Sequence, residues 1–315
     1  MVNIVTNQSV VFEFILIGFP GLQEKFHVPV SISMFLIYVL SLFANSTVIT
    51  LIILKRSLHQ PMYIVIANLS LSDLLFDTIT LPKIICKYWF GADSITFYAC
   101  VLQLFFVHYL GSLDSLFLML MAIDRYVAIC KPLRYHSIIS NQLVILICFL
   151  FWLLDSSQVM VIAILASKIF YCGPNKIKNV FCSNVYLSSL ACGDHSFVTK
   201  LGLIFALVVL LIPLAIIILS YILIIRMIHL SDNNGKWQKA FYTCSTHLVI
   251  IGLYYIPRVF IYITSLSPVS ISSEVSVVIL CLYTYIPHLA SPIVYCLRTR
   301  DIRHLLGQAF QKIFP

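Results

Sequence analysis

The chain of 315 residues has few charged residues: Asp, Glu, Lys and Arg make up 10% of it, whereas apolar residues make up 61%. Soluble domains carry about a quarter charged residues, so this chain has too little charge to cover the surface of a soluble globule. Glycine and proline are also scarce, which excludes collagen-like and low-complexity chains. The basic residues form no continuous run, which excludes a nucleic-acid-binding tail, and we expect no nucleic-acid partner.

A cleavable signal peptide is also missing from the start of the chain. The first basic residue is Lys25, so no charged segment precedes an early apolar run. We therefore expect the first apolar run to act as an uncleaved insertion signal.

Long apolar runs, by contrast, are abundant. A helix needs about 20 predominantly apolar residues to cross a bilayer. Three runs contain no charged side chain, and four others carry embedded polar groups. The runs are 28–54, 62–86, 97–129, 143–166, 201–225, 240–264 and 275–297. None alternates with the period of a strand, and helices satisfy every backbone amide in hydrocarbon. The sequence predicts an all-α membrane protein, a seven-transmembrane helix bundle.

The loops between these runs predict the orientation in the plasma membrane. Lys and Arg favour the loops that are cytoplasmic when the N-terminus is outside. This gives an extracellular N-terminus (1–26), a seven-transmembrane receptor domain (27–297) and a cytoplasmic amphipathic helix and tail (298–315). The sequon Asn7-Gln8-Ser9 agrees, because glycan is added on the outer side, and we expect Asn7 to be glycosylated.

Four cysteines could meet on the oxidising outer side: Cys100, Cys172, Cys182 and Cys192. Four cysteines allow three pairings, and the residues alone do not choose among them. The absence of a CxxC pair argues against a structural zinc site in this loop.

Several strings then occur in a fixed order along the chain. They are PMY at 61–63, LSLSD at 69–73, MAIDRYVAICKPLRY at 121–135, SY at 220–221, KAFYTCSTHL at 239–248 and PIVY at 292–295. Together they resemble the rhodopsin-like (class A) G-protein-coupled receptors and, within them, the olfactory (odorant) receptors, with features of the fish-type branch. One departure is Ser291, where the family usually has Asn before Pro292.

The resemblance implies the two disulfides Cys100–Cys182 and Cys172–Cys192. It also implies a receptor that binds a small odorant in the extracellular half of the bundle. The chain would then activate a heterotrimeric G protein of the olfactory, stimulatory type and raise cyclic AMP. Its partners would be that ligand, the G protein and the lipid bilayer.

Small and polar side chains mark a candidate ligand site. His108, Gly111, Ser112 and Ser115 share one face of the third run, and Tyr255, Arg258 and Tyr262 share one face of the sixth. A guanidinium binds carboxylates by two parallel hydrogen bonds, so we predict an anionic or polar ligand. The alternatives are that His108 is a packing residue and that Arg258 pairs with Glu274 or Asp194, or snorkels to the interface.

Two carboxylates lie in the middle of predicted spans, Asp73 and Asp114. Such groups are costly in hydrocarbon and are functional candidates by default. We predict that they form an ion or proton site, with a sodium ion between them. The alternative is that each only hydrogen-bonds the backbone and Asn45.

The resemblance places the switch and the G-protein contact at the cytoplasmic end. The residues concerned are Asp124, Arg125, Tyr126, Tyr221 and Tyr295. A membrane-edge anchor is the alternative for Tyr126.

Other classes of function fit less well. A transporter or channel should show an inverted repeat or a ring of charges, and an intramembrane enzyme should show a nucleophile or metal motif; the sequence has neither. We therefore expect no catalytic activity. The remaining alternative is a non-olfactory class A receptor for a small acidic or polar metabolite.

Overall fold

A computed structural model describes residues 12–172, 175–229, 234–266 and 272–298. The described residues form seven long helices. They are α1 (His27–Leu54), α2 (Pro61–Phe90), α3 (Phe97–Cys130), α4 (Asn141–Ser167), α5 (Ser196–His229), α6 (Asn234–Leu266) and α7 (Ser273–Arg298). Short helical turns cover Glu24–Phe26, Arg56–Leu58, Pro132–Arg134, Tyr135–Ile138 and Asn184–Ser188. The predicted seven-helix bundle is confirmed.

Local sequence sets several helix ends. The side chains of Thr96 and Ser140 accept hydrogen bonds from backbone amides in the first turns of α3 and α4, at Ala99 and Leu143 respectively. At the other end of α2, Gly91 adopts a left-handed conformation with φ of 69° and stops the helix. These caps explain why helix ends fall within a few residues of the predicted runs.

The hydrophobic surface fits a lipid environment. Six of the described helices are long and apolar enough to cross a membrane, and α6 contributes a shorter apolar stretch, His247–Ile261. In α3, 72% of the most apolar segment is buried, against 22% in α1 and 17% in α5. The helix α3 is therefore the centre of the bundle, whereas α1 and α5 present apolar side chains outwards, as lipid-facing helices do.

A small three-stranded sheet is a feature that the sequence analysis did not predict. Its strands are β1 (Glu13–Leu16), β2 (Ser94–Thr96) and β3 (Lys176–Ile177), in the order β2-β1-β3. β1 pairs antiparallel with β2 and parallel with β3. The sheet joins the N-terminal segment to the loop before α3 and to the loop after α4.

Two disulfides hold the long loop between α4 and α5, here called the lid (168–195). Cys100 at the top of α3 is bonded to Cys182, and Cys172 is bonded to Cys192. These are the pairs that the family resemblance implies. Beside the first bridge, Gln103 accepts a hydrogen bond from the Cys182 amide at 2.9 Å, which fixes the lid to α3.

Two predictions fall on parts of the chain outside the described residues. The glycosylation site Asn7 is one, and the amphipathic helix and tail at 298–315 is the other, apart from Arg298, which ends α7.

Candidate functional site

The half of the bundle nearest the lid brings α3 and α6 together around Arg258. The Arg258 guanidinium donates to the Gly111 carbonyl oxygen at 3.3 Å and also contacts the Tyr254 hydroxyl. Tyr254 donates to the same carbonyl at 2.5 Å. A Cβ at position 111 would lie 3.8 Å from the nearest guanidinium nitrogen, an ordinary contact distance, so the contact does not require glycine there. Gly111 and Arg258, two of the predicted ligand-site residues, are therefore in direct contact.

Aromatic rings enclose this guanidinium. Its central carbon lies 4.0 Å from the centroid of the Tyr254 ring and 5.2 Å from that of Tyr283. Cation–π attraction stabilises a cation that is partly removed from water. The sequence analysis missed Tyr254 and Tyr283 as parts of this site. For Tyr254 the signal was present, since it precedes Arg258 by four residues on the same helix.

Below Arg258, a second contact joins α3 to α6. The hydroxyls of Ser115 and Tyr255 are 2.6 Å apart, and Ser115 donates to the Val209 carbonyl of α5 at 2.9 Å. Both side chains are buried. Three helices therefore meet at one serine, which is possible because serine is small and both donates and accepts.

The other predicted residues of α3 face different neighbours. His108 accepts a hydrogen bond from the Asn184 amide of the lid at 3.2 Å. Ser112 donates to the carboxylate of Asp155 in α4 and to the Tyr109 carbonyl. The predicted single ligand face thus divides: His108 contacts the lid, Gly111 and Ser115 contact α6, and Ser112 contacts α4.

Tyr262 lies in α6, but its side chain is outside the described part of the chain. A cavity of about 440 Å³ lies beside β2, α2 and α3. None of the predicted ligand residues lines it, because those residues pack against one another or against the lid.

A polar cluster lies in the middle of the bundle. His288 of α7 approaches three carboxylates: its Nδ1 is 2.8 Å from Asp77, and its Nε2 is 3.6 Å from Asp73 and 3.5 Å from Asp114. All four side chains are buried. The structure thus brings the predicted pair Asp73 and Asp114 to one place. Asp77 and His288 were missed, although both are ionisable groups inside apolar runs, and Asp77 follows Asp73 by one helical turn.

Asn45 lies at the edge of this cluster. It donates to the Ser41 carbonyl and hydroxyl at 3.1 Å and to the His288 carbonyl at 3.2 Å. The amide therefore ties α1 to α7. The sodium ion predicted between the two carboxylates stays a prediction.

Near the C-terminal end of α3, Asp124 has a partner that the sequence analysis did not assign. The Tyr135 hydroxyl, in the loop after α3, donates to the Asp124 carboxylate at 2.7 Å. Burial raises the pKa of Tyr135, and the Asp124 carboxylate adds to that effect. The phenol therefore stays protonated and keeps its donor at physiological pH.

The other predicted switch residues lie near this end of the bundle. Tyr295 of α7 is buried, donates to the Met121 sulfur at 3.5 Å and has its ring 5.8 Å from that of His247. Tyr221 of α5 is also buried, while Arg125 and Tyr126 are partly buried. Of the predicted switch residues, Tyr221 and Tyr295 therefore lie inside the bundle.

Comparison with known proteins gives the family of the chain. The family model described as olfactory receptor matches residues 34–312. The chain belongs to the olfactory receptor family. It is 36% identical to human (Homo sapiens) olfactory receptor 56A5 over 305 residues, which covers 97% of each chain. It is 35% identical to mouse (Mus musculus) olfactory receptor 1E16, over 97% of this chain and 96% of the mouse protein.

A solved structure supports the fold independently. Squid rhodopsin superposes with a TM-score of 0.71 at 16% identity and covers 93% of this chain and 87% of its own. The receptor is thus an odorant-sensing G-protein-coupled receptor and a multi-pass protein of the plasma membrane. It is a signalling protein and not an enzyme.

Proposed function

We propose that this receptor binds a small carboxylate-bearing odorant between α3, α6 and the lid. The observation that carries the proposal is the guanidinium of Arg258, held in the extracellular half of the bundle against Gly111 and two tyrosine rings. A guanidinium is permanently charged and binds a carboxylate by two parallel hydrogen bonds. The guanidinium contacts a neutral carbonyl and a phenol, and a ligand carboxylate would bind it more strongly than either of these groups.

The groups around Arg258 suit a ligand with one polar end. Tyr254 and Tyr255 place hydroxyls beside aromatic faces, and His108 connects this region to the lid through the Asn184 amide. Ligand sites commonly combine apolar walls with a few convergent polar groups. A short acid with an aliphatic or aromatic tail matches this chemistry.

The effect of ligand binding would be transmitted to the cytoplasmic end of the receptor by a movement of α6. The contact of Ser115 with Tyr255 joins α6 to α3, and Ser115 is also bonded to α5. An agonist that binds more tightly when α6 has moved shifts the receptor towards that state. We infer that α6 then opens the cytoplasmic end beside Asp124 and Arg125 to a stimulatory G protein, which raises cyclic AMP. This mechanism requires an extracellular N-terminus and a cytoplasmic C-terminus.

Ligand-dependent cyclic AMP production in transfected cells tests the proposal. The panel contains short and medium-chain carboxylic acids, each beside its methyl ester, with amines and alcohols of matched length. We expect responses to some acids and weaker responses to their esters, because only the acid offers a carboxylate to Arg258. A receptor that reaches the cell surface but responds only to the esters or amines would contradict the carboxylate preference. A chemical response without any cyclic AMP change would contradict the proposed G protein.

A further inference from the structure

The cavity beside β2 is a groove between α2 and α3 that opens at the surface of the bundle. Its volume is about 440 Å³, and Ile79 of α2 with Leu102 and Phe106 of α3 forms apolar walls. Leu102 is 58% exposed. An exposed apolar side chain on a membrane-spanning helix faces lipid tails, which are as apolar as leucine itself. The groove therefore opens towards the bilayer.

One end of this groove is polar. Lys83, Ser94 and Thr96 line it, close to the turn that joins α2 to α3. The Lys83 ammonium donates to the Ala92 and Ser94 carbonyl oxygens at 2.9 and 2.5 Å, so its charge lies at the level of this turn. Phe106 follows Thr96 by ten residues in α3, which is about 15 Å along a helix. The groove thus has a cationic end at the turn and an apolar end deeper in the membrane.

Exposed aromatic residues place the turn at a membrane interface. Trp89 lies at the end of α2 and Tyr98 at the start of α3, and both are exposed. Trp and Tyr are enriched where lipid headgroups meet the hydrocarbon. The Lys83 ammonium therefore lies at headgroup level, in the leaflet on the same side as the lid, which a disulfide fixes to this end of α3.

The charge of Lys83 has no counter-charge in the part of the chain that the structure describes. Its two acceptors are neutral carbonyl oxygens, and the neighbouring carboxylate of Asp93 lies 3.7 Å from Lys87 instead. An ammonium has three N–H donors, so one is left for a further acceptor. Thr96 accepts from the Ala99 amide and still has its hydroxyl proton to donate. The polar end of the groove thus offers a positive charge and a hydroxyl to an anion.

An anionic lipid matches both ends of the groove. Its phosphate accepts charge-assisted hydrogen bonds from an ammonium, and its acyl chain suits apolar walls. A zwitterionic lipid brings a cation of its own, whereas an anionic lipid supplies the negative charge that Lys83 lacks. We propose that this groove binds an anionic phospholipid, with the phosphate at Lys83 and one acyl chain along Leu102 and Phe106. The site is separate from the odorant site, since Arg258 does not line the groove.

Photochemical labelling of the reconstituted receptor tests the proposal without odorant or G protein. The full-length receptor is placed in phosphatidylcholine nanodiscs that contain a small fraction of phosphatidylglycerol with a photoreactive group in one acyl chain. Mass spectrometry of peptides then locates the labelled residues. We expect labelling within residues 97–106 that unlabelled phosphatidylglycerol suppresses and an equal addition of phosphatidylcholine does not. In Lys83→Gln this labelling should fall roughly 5-fold, the effect of one basic residue at a membrane surface.

Lys87→Gln is the matched control, because Lys87 lies one helical turn further along α2 and is already paired with Asp93. It should be labelled like the wild type. Ala99→Phe keeps the charge of Lys83 but fills the groove from an exposed position on α3, so it should also lose the labelling. This second variant supplies the test if Lys83→Gln does not fold.

Two results would overturn the proposal. One is labelling of residues 97–106 that stays at the wild-type level in folded Lys83→Gln or folded Ala99→Phe. The other is competition by phosphatidylcholine, cholesterol or a free fatty acid that equals competition by phosphatidylglycerol, because the groove would then not select an anionic phospholipid. Since no signalling is measured, failure of the odorant proposal leaves this result interpretable.

Discussion

Arg258 is the residue on which the ligand prediction depends. Replacing it with Gln keeps a polar side chain of similar reach but removes the charge. Hydrogen bonds to charged groups are worth about 1.5–3 kcal/mol, so the potency of carboxylic acid agonists should fall roughly 10- to 100-fold or be lost. Concentration–response curves for cyclic AMP, with surface expression measured in the same cells, give the result.

The control for Arg258→Gln is Lys200→Gln, which removes an exposed positive charge near the outer end of α5. It should leave potency nearly unchanged, because exposed charges are screened by water and salt. Unchanged responses of well-expressed Arg258→Gln to acids would remove Arg258 as the ligand anchor.

The contact of Tyr135 with Asp124, near the C-terminal end of α3, gives a separate prediction for a single residue. Tyr135→Phe removes the donor to Asp124 and leaves a largely buried carboxylate with one partner fewer. The expected cost is about 1 kcal/mol, which corresponds to a fall of roughly 2 °C in the Tm of the purified receptor. Tyr98→Phe is the matched control, since Tyr98 is 82% exposed. Equal melting temperatures for both variants would contradict a stabilising role for this bond.

At the scale of elements, β1 couples the N-terminal segment to the lid. Phe14 is fully buried, and its ring meets those of Tyr171 and Phe97 at centroid distances of 5.6 and 6.2 Å. Its removal leaves a cavity under the sheet. Phe14→Ala should therefore cost about 3–5 kcal/mol and lower both Tm and surface expression.

Phe12 provides the comparison for this strand, because it is 76% exposed. Phe12→Ala should change stability by less than about 0.5 kcal/mol. If the two alanine variants melt at the same temperature, the sheet of β1, β2 and β3 does not stabilise the fold.

The sequence could not predict this sheet, for a physical reason. Each strand is only two to four residues long, and such strands are stable only when tertiary structure brings their partners together. β1 pairs with segments about 80 and 160 positions away in the chain. Helices, whose hydrogen bonds are local, were predicted from the apolar runs to within a few residues at most ends.

At the scale of the whole molecule, the proposed signalling depends on orientation. Epitope tags at the two termini give the measurement: the N-terminal tag should stain on intact cells, and the C-terminal tag only after permeabilisation. The expectation follows from the excess of Lys and Arg in the predicted cytoplasmic loops. Staining of both tags on intact cells would imply an even number of crossings and would remove the proposed route to the G protein.

Some residues of the candidate sites could be predicted from the sequence, whereas their contacts were seen only in the structure. Arg258, Asp73 and Asp114 were found from the sequence because an ionisable group in an apolar run stands out on its own. The contacts between helices were not found, since Gly111 of α3 accepts from Arg258 of α6, and His288 of α7 reaches Asp73 of α2. Tyr254 contacts Arg258 within α6 and was missed one helical turn away.

The sequence by itself determined that the chain crosses the bilayer, how many long helices it forms and, to within a few residues at most ends, where they begin and end. Those properties follow from the transfer of apolar residues into hydrocarbon and from hydrogen bonds made within each helix. The tertiary structure alone decided which polar groups meet. Ser112 contacts Asp155 rather than Arg258, and His288 lies between three carboxylates, because the rotation of each helix depends on packing against its neighbours.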